Sequence, residues 1–145
     1  MVARPAAVLF VCNRNRVRSP MAEALLKRLV GRDIYVDSCG LEAKPEFDGE
    51  TDPLAIEAMR ELGCDLSGHH GKKLDVLAVD SFDLIVALTP EARARAKAAT
   101  RTRAAEVEHW EISDPTLIDG SRETRLAAYR ATRDELAARI AARFS

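Results

Sequence analysis

Ala7-Val8-Leu9-Phe10-Val11-Cys12-Asn13-Arg14-Asn15-Arg16-Val17-Arg18-Ser19-Pro20 is the stretch that decides the fold. Its first half is a continuous apolar run rich in β-formers. A run with no polar face suits a strand buried on both sides. Asn13 to Arg16 then break it. Ser19-Pro20 opens a helix, because proline is tolerated in the first helical turn, where its missing N–H is not needed.

The same alternation continues outward. Ile34 to Ser38 and Phe82 to Leu88 read as further strands, and Val107 to Trp110 as a weaker one. The first helix presents Met21, Leu25 and Leu29 on one face and closes at Gly31. Asp52-Pro53 starts a second helix, with Ala55, Met59 and Leu62 at helical spacing and Gly63 after it. Thr89-Pro90-Glu91 starts a third. The last is expected from about Ser121 to Phe144. Its stripe is Leu126, Tyr129, Arg133, Leu136, Ile140 and Arg143, the apolar members buried and the arginine stems flanking them. Strands alternating with helices predict an α/β fold with a parallel sheet. In open sheets of that kind, ligands bind beyond the carboxyl ends of the strands. Cys12 stands at such an end.

Composition sets the outer bounds. A chain of 145 residues, 47% hydrophobic, fits a single domain spanning residues 1–145. A domain of this size buries roughly 70% of its unfolded surface, so neither disulfides nor a structural metal are required. With 22 basic and 23 acidic residues the formal charge is −1. Such a balance points to neither nucleic acid nor an anionic membrane as partner. Three widely spaced cysteines do not make a secreted disulfide framework. The longest apolar run is too short to span a bilayer, and no cleavage site follows it. A reducing cytoplasm is the expected compartment. The sequence carries no signature of a particular oligomeric state.

The loop after the first strand carries the chemistry. Five residues separate Cys12 from Arg18, and a hydroxyl and a helix start follow. A loop entering a helix N-terminus directs several N–H groups into one hollow, where the helix dipole favours an anion. The same field favours a thiolate over a thiol. Arg18 offers a planar fork suited to two phosphate oxygens. Ser19 can hydrogen-bond the thiolate or help cap the helix. A thiolate facing a tetrahedral oxyanion suggests phosphoryl transfer to sulfur, which also needs an acid for the leaving oxygen. Asp114-Pro115 follows the last strand, where such a group can return to the site. The proline biases Asp114 to extended backbone.

Cys12 to Arg18, with Ser19-Pro20 and Met21-Ala22-Glu23 behind them, resembles the signature of the low-molecular-weight protein tyrosine phosphatases and the related arsenate reductases. Asp37-Ser38-Cys39-Gly40 resembles the end of that family's second strand. Asp83 to Leu88 resembles its third, and Asp114-Pro115 its aspartate-proline loop. The resemblance implies a four-stranded parallel sheet with helices on both faces, a flavodoxin-like three-layer α/β/α arrangement. It implies a cysteinyl-phosphate intermediate, with Cys12 as nucleophile and Arg18 holding the phosphate. Asp114 would protonate the leaving group and then activate water. The implied phosphate-binding segment is Asn13, Arg14, Asn15, Arg16, Val17, Arg18 and Ser19, with Asn15 bracing the loop. The substrate would be a phosphorylated protein or small phosphate monoester. No metal or other cofactor is implied.

Three positions depart from the family pattern. Arg14 replaces a glycine; if that position needs φ > 0, a side chain costs about 1–2 kcal/mol. Val17 replaces a second loop cysteine, which removes a disulfide within the loop. Thr116, Leu117 and Ile118 follow Asp114-Pro115 in place of aromatics, which weakens phosphotyrosine as the natural substrate. Two other readings stand beside the phosphatase. One is an arsenate reductase coupled to an external thiol or glutaredoxin, since Thr89 to Arg95 hold no relay cysteines. The other is a phosphate-binding module that has lost catalysis through Arg14. Cys39 and Cys64 are expected to pack. His69-His70 is not expected to bind metal, and His109 beside Trp110 is expected to pack locally. Arg93, Arg95, Lys97, Arg101 and Arg103 are expected to form a solvated face and the loop after it. Phe47 is expected either to line the site entrance or to anchor its loop.

Overall fold

A computed structural model of the protein describes residues 4–43, 51–74, 79–100 and 105–145. Phe47, Arg101 and Arg103 lie outside the described residues. The first strand, β1 (Ala7–Cys12), leads through the loop into α1 (Arg18–Val30). Then come β2 (Tyr35–Gly40), α2 (Pro53–Arg60), β3 (Leu84–Ala87), α3 (Pro90–Thr100), β4 (Glu106–His109) and α4 (Arg122–Phe144). The strands form one parallel sheet in the order β2-β1-β3-β4.

The continuous apolar run of β1 is explained by its place in the middle of the sheet. Val8, Leu9, Phe10 and Val11 are wholly buried. Alternate residues serve opposite faces. Val8, Phe10 and Cys12 join the core formed with α1, α2 and α4, whereas Leu9 and Val11 join Ile85, Ala92 and Ala96 on the α3 side. Three layers result, with helices on both faces of the sheet.

Local chemistry sets the helix starts. Asp52 caps α2 by accepting from the Leu54 amide at 2.9 Å. Thr89 accepts from the Ala92 amide ahead of α3, and Ser121 from the Thr124 amide ahead of α4. The helix α1 has no side-chain cap at Val17. Gly31 ends it at φ 60°, a conformation that suits glycine.

Two features of the predicted helix faces need correction. Leu29 is not on the buried face of α1: it is 44% exposed. The sheet and α4 instead enclose Met21, Ala22, Leu25, Leu26 and Val30, leaving Leu29 on the rim of a shallow groove with Leu62 and Ile140. In α4, Arg133 does more than flank the stripe. It is almost fully buried, donating to the Ala58 carbonyl at 2.8 Å and to Glu61 at 2.7 Å, which ties α4 to the end of α2. Arg143 leaves the stripe to pair with Glu108 on β4, and Phe144 takes the buried place. Strand limits also shift slightly, β2 running on to Gly40 and β3 starting at Leu84.

Asp83 fastens the start of β1. Its carboxylate accepts from the Ala6 and Ala7 amides at 2.9 and 2.8 Å. Partial burial pushes this carboxyl upward, but the amides outweigh it and hold it below the usual carboxylate range. A depressed folded-state value stabilises the protein above the unfolded pKa of about 4, and that stability is lost as pH falls through the folded value. Acid unfolding followed by circular dichroism should therefore show a shallower loss of Tm below about pH 4 in Asp83→Asn than in wild type. Equal slopes would remove Asp83 from the acid response.

Candidate active site

The loop between β1 and α1 lies at the carboxyl edge of the sheet and wraps around the Cys12 sulfur. The Asn15 amide donates to Cys12 Sγ at 3.3 Å, and Ser19 Oγ lies 2.8 Å from the same sulfur. Of the two roles open to Ser19, the structure shows the one beside the sulfur: α1 begins at Arg18, and Ser19 lies buried within its first turn.

Asn15 holds the loop from behind. Its Nδ2 donates to Ser19 Oγ at 2.7 Å and to Ser38 Oγ at 3.0 Å. Ser38 donates onward to Glu23 at 2.5 Å, which pairs with Lys27. The Asn15 Oδ1 accepts from the Lys72 amide at 3.1 Å. His69 Nε2 stands 3.3 Å from the Asn15 carbonyl and 3.2 Å from Oδ1. Both are acceptors, so Nε2 carries the ring proton. Burial, with Lys72 close by, pushes His69 below the ordinary histidine value and favours the singly protonated ring.

The strain foreseen at Arg14 does not arise. Among the described residues, Asn15 is the only non-glycine with positive φ, at 60°. Asparagine enters this region more readily than most residues, and its side chain is fixed there by four partners. Glycine is required instead at Gly40, at the end of β2. A Cβ there would stand 2.7 Å from both the Arg14 carbonyl carbon and the Asn15 nitrogen. Gly40→Ala should push the loop outward, at an overpacking cost of about 1–3 kcal/mol. The expected result is a lowered Tm and at least tenfold weaker binding of inorganic phosphate by calorimetry. Unchanged phosphate binding would show that the loop tolerates displacement.

A cavity of about 340 Å³ opens over the loop. Residues Cys12 to Arg18 line its floor, and Glu42, Asp52, Asp114, Thr116, Arg125 and Tyr129 its walls. Arg18 donates through Nη1 to the Ile112 carbonyl at 3.1 Å, and its Nη2 is 3.6 Å from Asp114 Oδ2. Asp114 has extended backbone, as Pro115 requires. Its Oδ1 accepts from the Thr116 amide at 3.0 Å and hydroxyl at 2.6 Å, leaving Oδ2 toward Arg18. Cys12, Arg18 and Asp114 thus share one hollow.

The remaining loop residues reach it unequally. Asn13 Oδ1 accepts from the Thr89 hydroxyl at 2.9 Å, which pins that side chain to the start of α3. Val17 is buried in the core, while Arg14 and Arg16 line the cavity. Cys39, on the neighbouring strand, pairs in register with Val11 and packs with the α3-side core, on the opposite face of the sheet from Cys12. Among the described residues, no group of three His, Cys, Asp or Glu could hold a metal ion.

Sequence reading missed Ser38, His69, Asp52, Arg125 and Tyr129 as parts of this region. Ser38 was within reach, in the segment that ends the second strand. Tyr129 reads only as a core residue, yet its hydroxyl donates to Asp52 Oδ2 at 3.0 Å. The Asp52 amide in turn donates to the Arg16 carbonyl at 3.1 Å, which links α4, α2 and the loop. Burial, reinforced by the Asp52 charge, raises the Tyr129 hydroxyl above its usual value and keeps it a donor.

The model of the low molecular weight phosphotyrosine protein phosphatases matches residues 7–144. A curated arsenate reductase from Halalkalibacterium halodurans is 35% identical over 133 residues, covering 92% of this chain and 91% of that protein. The solved arginine phosphatase YwlE, as a cysteine-to-serine mutant whose active-site serine is phosphorylated, superposes with a TM-score of 0.76 at 30% identity over 92% of this chain and 90% of that one. A low molecular weight protein tyrosine phosphatase from T. tengcongensis gives 0.78 at 26% identity, covering 93% and 95%. The loop, the buried cysteine and the matched length lead to one conclusion: this chain belongs to the low molecular weight phosphotyrosine protein phosphatase family.

Proposed function

We propose that the protein hydrolyses a phosphate monoester through a cysteinyl-phosphate intermediate. The observation that carries this reading is the shared hollow, with Cys12 Sγ beneath the Asn15 amide and Asp114 Oδ2 across it beside Arg18. Cys12 as thiolate attacks phosphorus, and the S–P bond forms as the bond to the leaving oxygen breaks. Asp114, protonated, gives its proton to that oxygen. The loop amides and the Arg18 fork hold the phosphoryl oxygens as charge builds on them. Ser19 already accepts from Asn15, so its own proton can stabilise the thiolate before attack and on departure. Water then attacks phosphorus, Asp114 takes its proton, and the S–P bond breaks to release phosphate. In the solved YwlE mutant the serine that replaces a cysteine carries the phosphoryl group at the active site, which supports a covalent route for this chain as well.

The test is release of phosphate from a generic aryl phosphate in the presence of chelator and reductant. Turnover supports the hydrolase. A folded protein that binds phosphate without turnover rejects it in favour of an arsenate reductase or a binding module. The positive φ falls on Asn15 and not on Arg14, which removes the backbone reason for an inactive loop.

A second reading, arsenate reduction, is favoured by the arsenate reductase relatives. Cys39 faces the other side of the sheet, and no second cysteine lines the cavity. The electrons would therefore come from an external thiol or glutaredoxin. Arsenate consumption with glutathione and glutaredoxin, exceeding that of a protein-free control, supports this reading.

A further inference from the structure

The helix α4 carries six arginines, and five of them are engaged with the fold. Arg122 pairs with Glu57, Arg130 and Arg133 with Glu61, and Arg143 with Glu108, while Arg139 lies over the Trp110 ring. Arg125 differs. It is an exposed side chain on the cavity wall, and among the described residues no carboxylate stands within ion-pair distance of it. Helix stability does not call for it, since the dipole disfavours a cation so near the start of α4. Arg125 lies one helical turn before Tyr129, whose hydroxyl donates to Asp52. The charges of Arg125 and Asp114 both act on that hydroxyl, so the cation belongs to the wall that holds the proposed acid.

We infer that Arg125 grips a second anion on the substrate. The substrate class is a compact phosphate monoester whose leaving group carries a carboxylate or a further phosphate, a few atoms from the ester oxygen. The inference rests on the hydrolase reading and adds a specificity-determining residue to it. Arg18 takes the reacting phosphoryl group, and Arg125 takes the anion that departs with the leaving alcohol. The cavity of about 340 Å³ is at the small end of ligand sites, which span roughly 300–1,000 Å³, and a phosphate with a compact leaving group suits it. Glu42, Asp52 and Asp114 line the same cavity and repel a second anion, which narrows the places left for it. Arg14 and Arg16 also line it and attract anions, so a preference for the charged ester is assigned to Arg125 only by its loss in a variant.

The experiment compares 3-carboxyphenyl phosphate with its uncharged carboxamide counterpart. The two phenols differ in acidity, so the quantity read is the ratio of kcat/KM on the charged ester to that on the neutral one, compared between enzymes. Arg125→Gln is expected to lower this ratio about fivefold, the scale of an exposed ion pair, with the change carried by KM. Arg125→Lys should keep most of the ratio, and Arg125→Glu should lower it further. Added salt should shrink the wild-type ratio toward that of Arg125→Gln. A ratio that Arg125→Gln leaves unchanged, including an equal loss on both esters, overturns the assignment and leaves the hydrolase standing. A charge preference confined to a phosphotyrosine peptide with glutamate beside the phosphotyrosine, and absent from the aryl pair, places the anion on a polypeptide and overturns the compact ester. If neither ester is turned over, the hydrolase reading fails. Calorimetric titration of both esters into wild type then decides Arg125 alone: tighter binding of the carboxylate ester that Arg125→Gln abolishes supports it, and equal binding overturns it.

Discussion

Cys12→Ser is expected to lower turnover of an aryl phosphate by about 10⁴-fold or more, while binding of inorganic phosphate stays within about twofold. The two readouts separate because sulfur and the anion hollow do different work. Serine fits where cysteine stood, beneath the Asn15 amide and beside Ser19 Oγ, so the loop has no reason to move. The amides and Arg18 that would grip a phosphate are untouched. An alcohol, however, needs a base to become a nucleophile, and the groups around Cys12 are donors or are already committed. Ser19 accepts from Asn15, and Asp114 lies across the cavity against Arg18. Residual turnover near wild type would mean that water attacks the ester directly, with the loop as a mere binding site. Loss of phosphate binding together with turnover would mean that the sulfur holds the loop together, and the result would then say nothing of nucleophilicity.

The parts of this molecule legible in the sequence are those whose cause is local. The apolar run Val8 to Val11 marks a central strand because both its faces are covered. Asp52, Thr89 and Ser121 mark helix starts because each accepts from an amide two or three residues on. The cysteine-to-arginine loop is local too, and the structure puts Cys12, Arg18 and Asp114 around one hollow.

What escaped the sequence is non-local. His69 reaches Asn15 across 54 residues, and Tyr129 reaches Asp52 across 77. No spacing in either segment announces those bonds, since they depend on where the sheet brings loop and helix together. Leu29 failed for a similar reason. Periodicity places it with Met21 and Leu25, but α4 covers α1 from one side only and leaves that edge to solvent. The glycine missing at position 14 misled in the opposite direction. The left-handed turn is made one residue later, at Asn15, and the steric need for glycine appears on the neighbouring strand, at Gly40.

Asp114→Asn is expected to lower kcat by about 10²–10³-fold on an alkyl phosphate and far less on an aryl phosphate with an acidic leaving phenol. An alkoxide leaves only if it is protonated as the P–O bond breaks, whereas an acidic phenolate can leave unaided. Asparagine preserves the turn, because its Oδ1 can accept from Thr116 as the carboxylate does and asparagine suits such turns. The substitution removes the transferable proton and the charge facing Arg18, and little else. The second step supplies an independent check. With the base gone, hydrolysis of the S–P bond slows, so an aryl phosphate with a good leaving group should give a burst of phenol close to one equivalent per enzyme, followed by slow turnover. A uniform loss across leaving groups without a burst would assign Asp114 to phosphate binding through Arg18. Near wild-type kinetics on every ester would leave it a turn residue, and the proton would have to come from elsewhere in the cavity wall.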